Sequence, residues 1–109
     1  MIEPILGSKN AERVLIYLLT RDTGYTREIA RFWSADPDSI QKQLARFERG
    51  GILDSRSEGR TRIYRFNPRY SFLKELKALL SKALSFYPQD EQETLLVVRR
   101  RPRRKDKPL

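Results

Sequence analysis

The run from Ala35 to Gly51 marks both ends of one helix, and the rest of the chain has to fit around it. Asp36 can cap the first turn, and Pro37 stands at the first helical position, where no backbone N–H is missed. Asp38 adds a second carboxylate at the positive end of the helix dipole. Gly50 and Gly51 are free to take the left-handed conformation that closes a helix. Between these ends Ile40, Leu44 and Phe47 fall within about 60° of one another around the helix axis. The opposite face carries Asp38, Lys42, Ala45, Arg46 and Arg49, flanked by Ser39 and Gln41. Such a helix docks a narrow apolar seam on a core and turns amides and cations outward. A plain solvated face would look the same, with Asp38 and Lys42 as an i,i+4 pair. The flanking elements weigh against that blander reading.

Met1–Gly7 is a short apolar lead-in, after which Ser8 can cap a helix to about Thr20. Ala11, Val14, Leu15, Leu18 and Leu19 share one side of it. Arg21–Gly24 reads as a turn, and Thr26 as the cap of a short helix from Arg27 to Trp33 that turns Ile29, Ala30 and Trp33 inward. Ser34 and Ala35 then lead directly to the Asp36 cap, which is the helix-turn-helix arrangement. After Gly51, the β-prone runs Ile52–Ser57 and Arg62–Phe66 flank the polar turn Glu58–Thr61, a hairpin with Arg56, Arg60 and Arg62 near its tip. Charge on an edge strand also protects it from pairing with strangers. Asn67-Pro68 breaks the strand, and a long helix is predicted from about Ser71 to Phe86. Its stripe of Phe72, Leu73, Leu76, Leu79, Leu80, Ala83 and Leu84 covers about 140° of the circumference, more than one small core requires. A second copy of the chain is the natural cover, while burial against the first helix is the alternative. After Pro88, acidic residues precede Leu95–Val98 and Arg99–Arg101 follow, a charge order that favours a short helix over a strand.

The chain's 109 residues make one domain, and the net charge of +9 is unevenly distributed. Residues 99–109 contribute +6 of it and the remainder only +3. Sixteen arginines against seven lysines favour bidentate phosphate recognition, so a polyanion, most commonly nucleic acid, is the expected partner. The absence of Cys and His removes disulfides, thiol chemistry, zinc sites and histidine acid–base catalysis. The longest apolar run, Val14–Leu19, is too short to span a bilayer, and nothing at the start resembles a secretory signal. A cytoplasmic protein with no membrane partner is expected.

Catalysis is not expected. Capping accounts for Asp36 and Asp38, and the five glycines form no phosphate-binding loop. No cofactor and no metal site are anticipated.

With these elements in order, the segment Ile29–Phe66 resembles the winged helix-turn-helix regulators of the arsenical-resistance-repressor (ArsR) type. The resemblance is carried by Arg-Glu-Ile-Ala at 27–30, Ser-Ile-Gln-Lys-Gln-Leu-Ala-Arg-Phe-Glu at 39–48, Gly-Gly-Ile-Leu at 50–53 and Glu-Gly-Arg-Thr-Arg-Ile-Tyr-Arg-Phe at 58–66. It extends from Leu6-Gly-Ser-Lys through the long last helix, to about residue 87. It implies a mostly helical α+β fold with a two-stranded wing and a long C-terminal dimerisation helix. It also implies a homodimer built on the first and last helices, with the third helix in a major groove of double-stranded DNA. The metal-sensing members use Cys and His, so metal sensing does not carry over to this chain. Ser34 stands where such turns often hold Gly, and a left-handed Ser34 would cost on the order of 1 kcal/mol. The lines Phe66-Asn-Pro-Arg-Tyr and Arg99-Arg-Arg-Pro-Arg-Arg are similar to the subgroup found beside or fused to small nucleotidyltransferases.

The expected organisation is therefore a DNA-binding domain over residues 1–87, with residues 71–87 as its dimerisation helix, and a basic, flexible tail over 88–109. The expected function is a sequence-specific, dimeric transcriptional regulator acting as a repressor. Ser39, Gln41, Lys42 and Arg46 are the recognition-helix candidates, and Arg27, Arg31, Arg56, Arg60 and Arg62 the backbone and wing candidates. Two alternatives stay open: an interaction module partnering a nucleotidyltransferase, and a basic winged-helix RNA-binding protein.

Overall fold

The computed structural model of the protein describes residues 1–96. Its elements are α1 (Glu3–Leu6), α2 (Lys9–Arg21), β1 (Thr23–Gly24), α3 (Thr26–Trp33), α4 (Pro37–Arg49), β2 (Leu53–Glu58), β3 (Thr61–Phe66) and α5 (Leu73–Leu84), with a further helical stretch over residues 89–96. This is a mostly helical α+β fold with a β-hairpin wing, a winged helix-turn-helix.

α2 is the hub. The Ser8 side chain accepts from the Ala11 N–H at 3.1 Å to start it, as expected. Ala11, Val14, Leu15, Ile16, Tyr17 and Leu18 are all buried, so the helix is enclosed on nearly every side rather than on one. α4 presses Ile40, Leu44 and Phe47 into the same core, α3 adds Ile29 and Ala30, and β2 and β3 add Leu53, Tyr64 and Phe66. α5 closes the far side with Leu80, and Leu95 follows it into the core.

Three local details differ from the sequence reading. Thr26 is not a cap: Tyr25 occupies the cap position without a side-chain bond, and the Thr26 hydroxyl turns toward α4 instead. The Arg21–Gly24 turn contributes a strand, since Thr23 pairs with Arg65 and Gly24 with Tyr64. The wing sheet is therefore three-stranded, in the order β1-β3-β2. Two residues carry no periodicity, and β1 is held by what surrounds it. A Cβ on Gly24 would lie 2.9 Å from Tyr17 Cε1, too close for any larger residue without a shift. Finally, residues 89–96 form the short helix that the charge order favoured, with Leu95 fully buried, so the flexible tail expected over 88–109 does not begin at residue 88. Arg21 Nε donates to the Leu95 carbonyl at 2.8 Å and anchors that stretch to the end of α2. The part of the expected tail beyond residue 96 lies outside the described residues.

The turn between α3 and α4 fulfils the condition attached to Ser34. Its φ and ψ of 54° and 46° are left-handed, and the Ala35 N–H reaches back to the Ala30 carbonyl at 2.9 Å. The bonding offsets a strain of about 1 kcal/mol. Gly51 adopts the left-handed conformation after α4 at φ 80°, and Gly59 begins the two-residue hairpin turn at φ 65°.

Candidate nucleic-acid interface

The outward side of α4 depends on how its first turn is closed. Asp36 Oδ2 accepts from the Ser39 N–H at 3.2 Å and from the Ser39 hydroxyl at 3.1 Å. Ser39 is thus half-buried and engaged in its own cap. Lys42 and Arg49, seven residues apart on one face, are exposed and make no hydrogen bond or ion pair among the described residues. Gln41 is exposed but braced, accepting from the Thr26 hydroxyl and donating to the Tyr64 hydroxyl at 3.2 Å. Asp38 and Lys42 form no ion pair.

Arg46, expected on the reading face, is drawn elsewhere. Its Nη2 donates to the Leu6 carbonyl at 2.7 Å and to Gln43 Oε1 at 3.0 Å, and its guanidinium lies 4.7 Å from the Phe47 ring centroid. The cause is α1: one helical turn ended by the left-handed Gly7 leaves its last carbonyls without partners, and Arg46 satisfies one. Arg27 and Arg31 on α3 are exposed and carry no ion pair.

The wing is less cationic than its composition suggests. Arg56 pairs with Glu58 at 2.8 Å, and Arg65 with Asp54 at 2.8 Å. Arg62 donates to the Ser55 hydroxyl at 2.9 Å and to Ser57 at 3.2 Å, while Ser55 donates to Glu48 Oε2 at 2.7 Å. Of the four wing arginines, only Arg60 at the turn stands without a partner. The free cations that remain around α4 are therefore Arg27, Arg31, Lys42, Arg49 and Arg60.

Thr26 and Tyr64 escaped the sequence reading. The signal was present for Tyr64, since a tyrosine on the core face of a strand needs a partner for its hydroxyl.

The α5 stripe divides in two. Leu80 and Ala83, expected at a dimer interface, are instead buried within the protomer at 0% and 3% exposure. α5 turns its most inward positions against α2, which the first helix's own pattern did not reveal. Leu73, Leu76, Leu79 and Leu84 are half-buried, and Phe72 is exposed. The exposed large apolar side chains of the described residues, Met1, Ile5, Phe72, Phe86 and Leu96, all lie before α2 or after β3.

Between α2, the end of α3 and the segment after α5 lies an open cavity of about 630 Å³ lined in part by Glu12, Phe32, Trp33, Phe86 and Tyr87. Glu12 is buried beneath it and accepts from the Ile2 N–H at 2.8 Å, from the Met1 ammonium at 2.9 Å and from the Tyr87 hydroxyl. Burial first, and the bond to Glu12 second, push the Tyr87 hydroxyl well above the usual tyrosine range. Among the described residues there is no group of three or more potential metal ligands, and no helix is long and apolar enough to cross a membrane.

No family model matches the sequence, and no curated protein matches it. The fold does match solved structures. Reduced HlyU from Vibrio cholerae aligns with a TM-score of 0.60 at 17% identity, over 79% of this chain and 84% of that one. A MarR mutant from E. coli aligns at 0.60 and 12% identity, over 96% and 75%. An apo mutant of ZitR from Lactococcus lactis aligns at 0.55 and 15% identity, over 91% and 83%. The likeness is distant, and at these identities it shows a shared winged-helix fold and nothing more.

Proposed function

We propose that this protein is a sequence-specific, dimeric DNA-binding transcriptional regulator of the ArsR-like, non-metal-sensing kind, acting as a cytoplasmic repressor by occupying a promoter. The observation that carries the reading is the set of unpaired cations on and around α4. Lys42 and Arg49 lie on the helix, Arg27 and Arg31 on the helix before it, and Arg60 at the wing turn. A helix entering a major groove needs base-reading groups near its start and phosphate contacts around it. Lys42 and Gln41 fill the first role, with Ser39 contributing through its remaining acceptor capacity. Arg27, Arg31 and Arg60 fill the second, and Arg56 and Arg62 join once phosphate competes with Glu58 and the wing serines. The basic residues of 99–109 add affinity without specificity.

The dimer rests on apolar side chains left uncovered by the protomer, Phe72 and Phe86 above all, together with the half-buried Leu73, Leu76, Leu79 and Leu84. In a two-fold dimer the two α4 helices face one side of the duplex, so the site should be an inverted repeat. Its half-sites would be centred about 10 bp, or a multiple, apart. Selection from random duplexes tests this. An inverted repeat whose preference weakens in Lys42→Ala is expected. Sequence-blind binding that disappears on deletion of residues 99–109 would overturn it, in favour of RNA binding or of a module serving a partner such as a nucleotidyltransferase.

A further inference from the structure

Gln41 is held in an unusual way for an exposed side chain on a solvent-facing helix. Its carbonyl oxygen accepts from Thr26 of α3, and its amide nitrogen donates to the hydroxyl of Tyr64 on β3 at 3.2 Å. Three elements, α3, α4 and β3, thus meet at one amide, and both of its partners are anchored. Tyr64 is only 2% exposed and fixed in the strand by pairing with Ser55 and Gly24. Thr26 is half-buried in the first turn of α3.

An amide has two acceptor lone pairs and two N–H donors. The two bonds consume one of each. What remains is one acceptor and one donor on an exposed residue near the start of α4. Adenine presents the complement in the major groove, with N7 as acceptor and the N6 amino group as donor. A free glutamine could rotate its amide and offer the two groups in either order. The Thr26 and Tyr64 hydroxyls fix where the amide lies before any contact with DNA, and because each hydroxyl can donate or accept, one donor and one acceptor stay free whichever way the amide faces.

We infer that Thr26 and Tyr64 are positioning residues that orient the Gln41 amide to read a single adenine in each half-site. The inference rests on the DNA-binding reading above and adds to it the base and the device that selects it. A Gln41 present only to satisfy the Tyr64 hydroxyl would leave base preference unchanged when that hydroxyl is removed.

The test compares wild type with Thr26→Val, Thr26→Ser, Tyr64→Phe and Gln41→Ala, each selected against random duplexes. Binding is then measured on the best site and on the same site with 7-deazaadenine or guanine at the position that Gln41→Ala ceases to prefer. Wild type should prefer adenine there, and lose about 5- to 150-fold on either replacement. Tyr64→Phe and Thr26→Val should each shrink that ratio by several-fold while keeping preferences at other positions, and Thr26→Ser should retain it. Tyr64→Phe removes one oxygen from a buried ring. If that variant proves unstable, Thr26→Val carries the same comparison. Retention of the full ratio in a folded Thr26→Val overturns the inference and leaves the DNA-binding reading standing. A wild-type preference for another base at that position does so too. Failure of wild type to select any sequence overturns both.

Discussion

Arg21 and Leu95 lie 74 residues apart, yet Arg21 Nε donates to the Leu95 carbonyl at 2.8 Å. The same guanidinium stacks 4.7 Å from the Tyr17 ring and 5.0 Å from Phe32, and its Nη1 donates to the Tyr17 hydroxyl at 3.0 Å. A charged group is thereby covered by aromatic faces and the final helical stretch, and the packed body extends well past the Pro88 break. Leu95→Ala should therefore cost about 2–5 kcal/mol, as other large-to-small core changes do. Chain ending at residue 96 should melt in urea like the full protein. Equal midpoints for wild type and Leu95→Ala would show that this stretch adds nothing to the core.

The wing arginines should be unequal. Arg60 has no partner, so Arg60→Ala should lower the salt slope of duplex binding by about 1. Arg56 gives up the Glu58 carboxylate before it can reach phosphate, so Arg56→Ala should lower it by less. Arg46→Ala should leave the slope alone and instead reduce stability by about 1 kcal/mol, through loss of the Leu6 carbonyl bond at 2.7 Å. Titrations at several salt concentrations, with a denaturation curve for each variant, separate these outcomes.

Dimerisation and folding should separate along α5. Leu80→Asp places a charge at a position with 0% exposure and should unfold the protomer. Phe86→Asp, on a residue 62% exposed, should leave the fold intact and yield monomers in sedimentation. A folded, dimeric Phe86→Asp would move the proposed interface elsewhere.

Alkaline pH should loosen the structure. Burial raises the Tyr17 hydroxyl above its ordinary range, with the Glu28 carboxylate adding to the effect, and burial and Glu12 do the same to Tyr87. Both groups hold their protons more tightly when folded. The stability they contribute is complete below the unfolded tyrosine value of about 10 and declines as pH rises beyond it. Urea midpoints should fall more steeply above about pH 10 than below it. Tyr87→Phe should show a shallower fall.

Much of this fold is written locally. Asp36 with Pro37, the Gly51 stop, the Ser8 cap and the Gly59 turn each act through bonds or dihedrals within a few residues, so sequence alone suffices for α4, α2 and the hairpin. The i, i+4, i+7 seam of Ile40, Leu44 and Phe47 likewise identifies the buried face of α4. Partner choice is different, because it depends on which groups the assembled chain brings within about 3 Å of one another. Arg46 goes to Leu6 only because α1 ends beside it, and Arg65 to Asp54 only because β3 folds back beside β2. Thr26 lies inside the first turn of α3 and meets Gln41 only because α4 packs across from it. Leu80 and Ala83 are interior because α5 lies against α2, a choice the apolar stripe leaves open between a neighbouring helix and a second protomer. Periodicity sets which face of a helix is apolar; only the tertiary arrangement decides what covers that face and which surface cations remain unpaired.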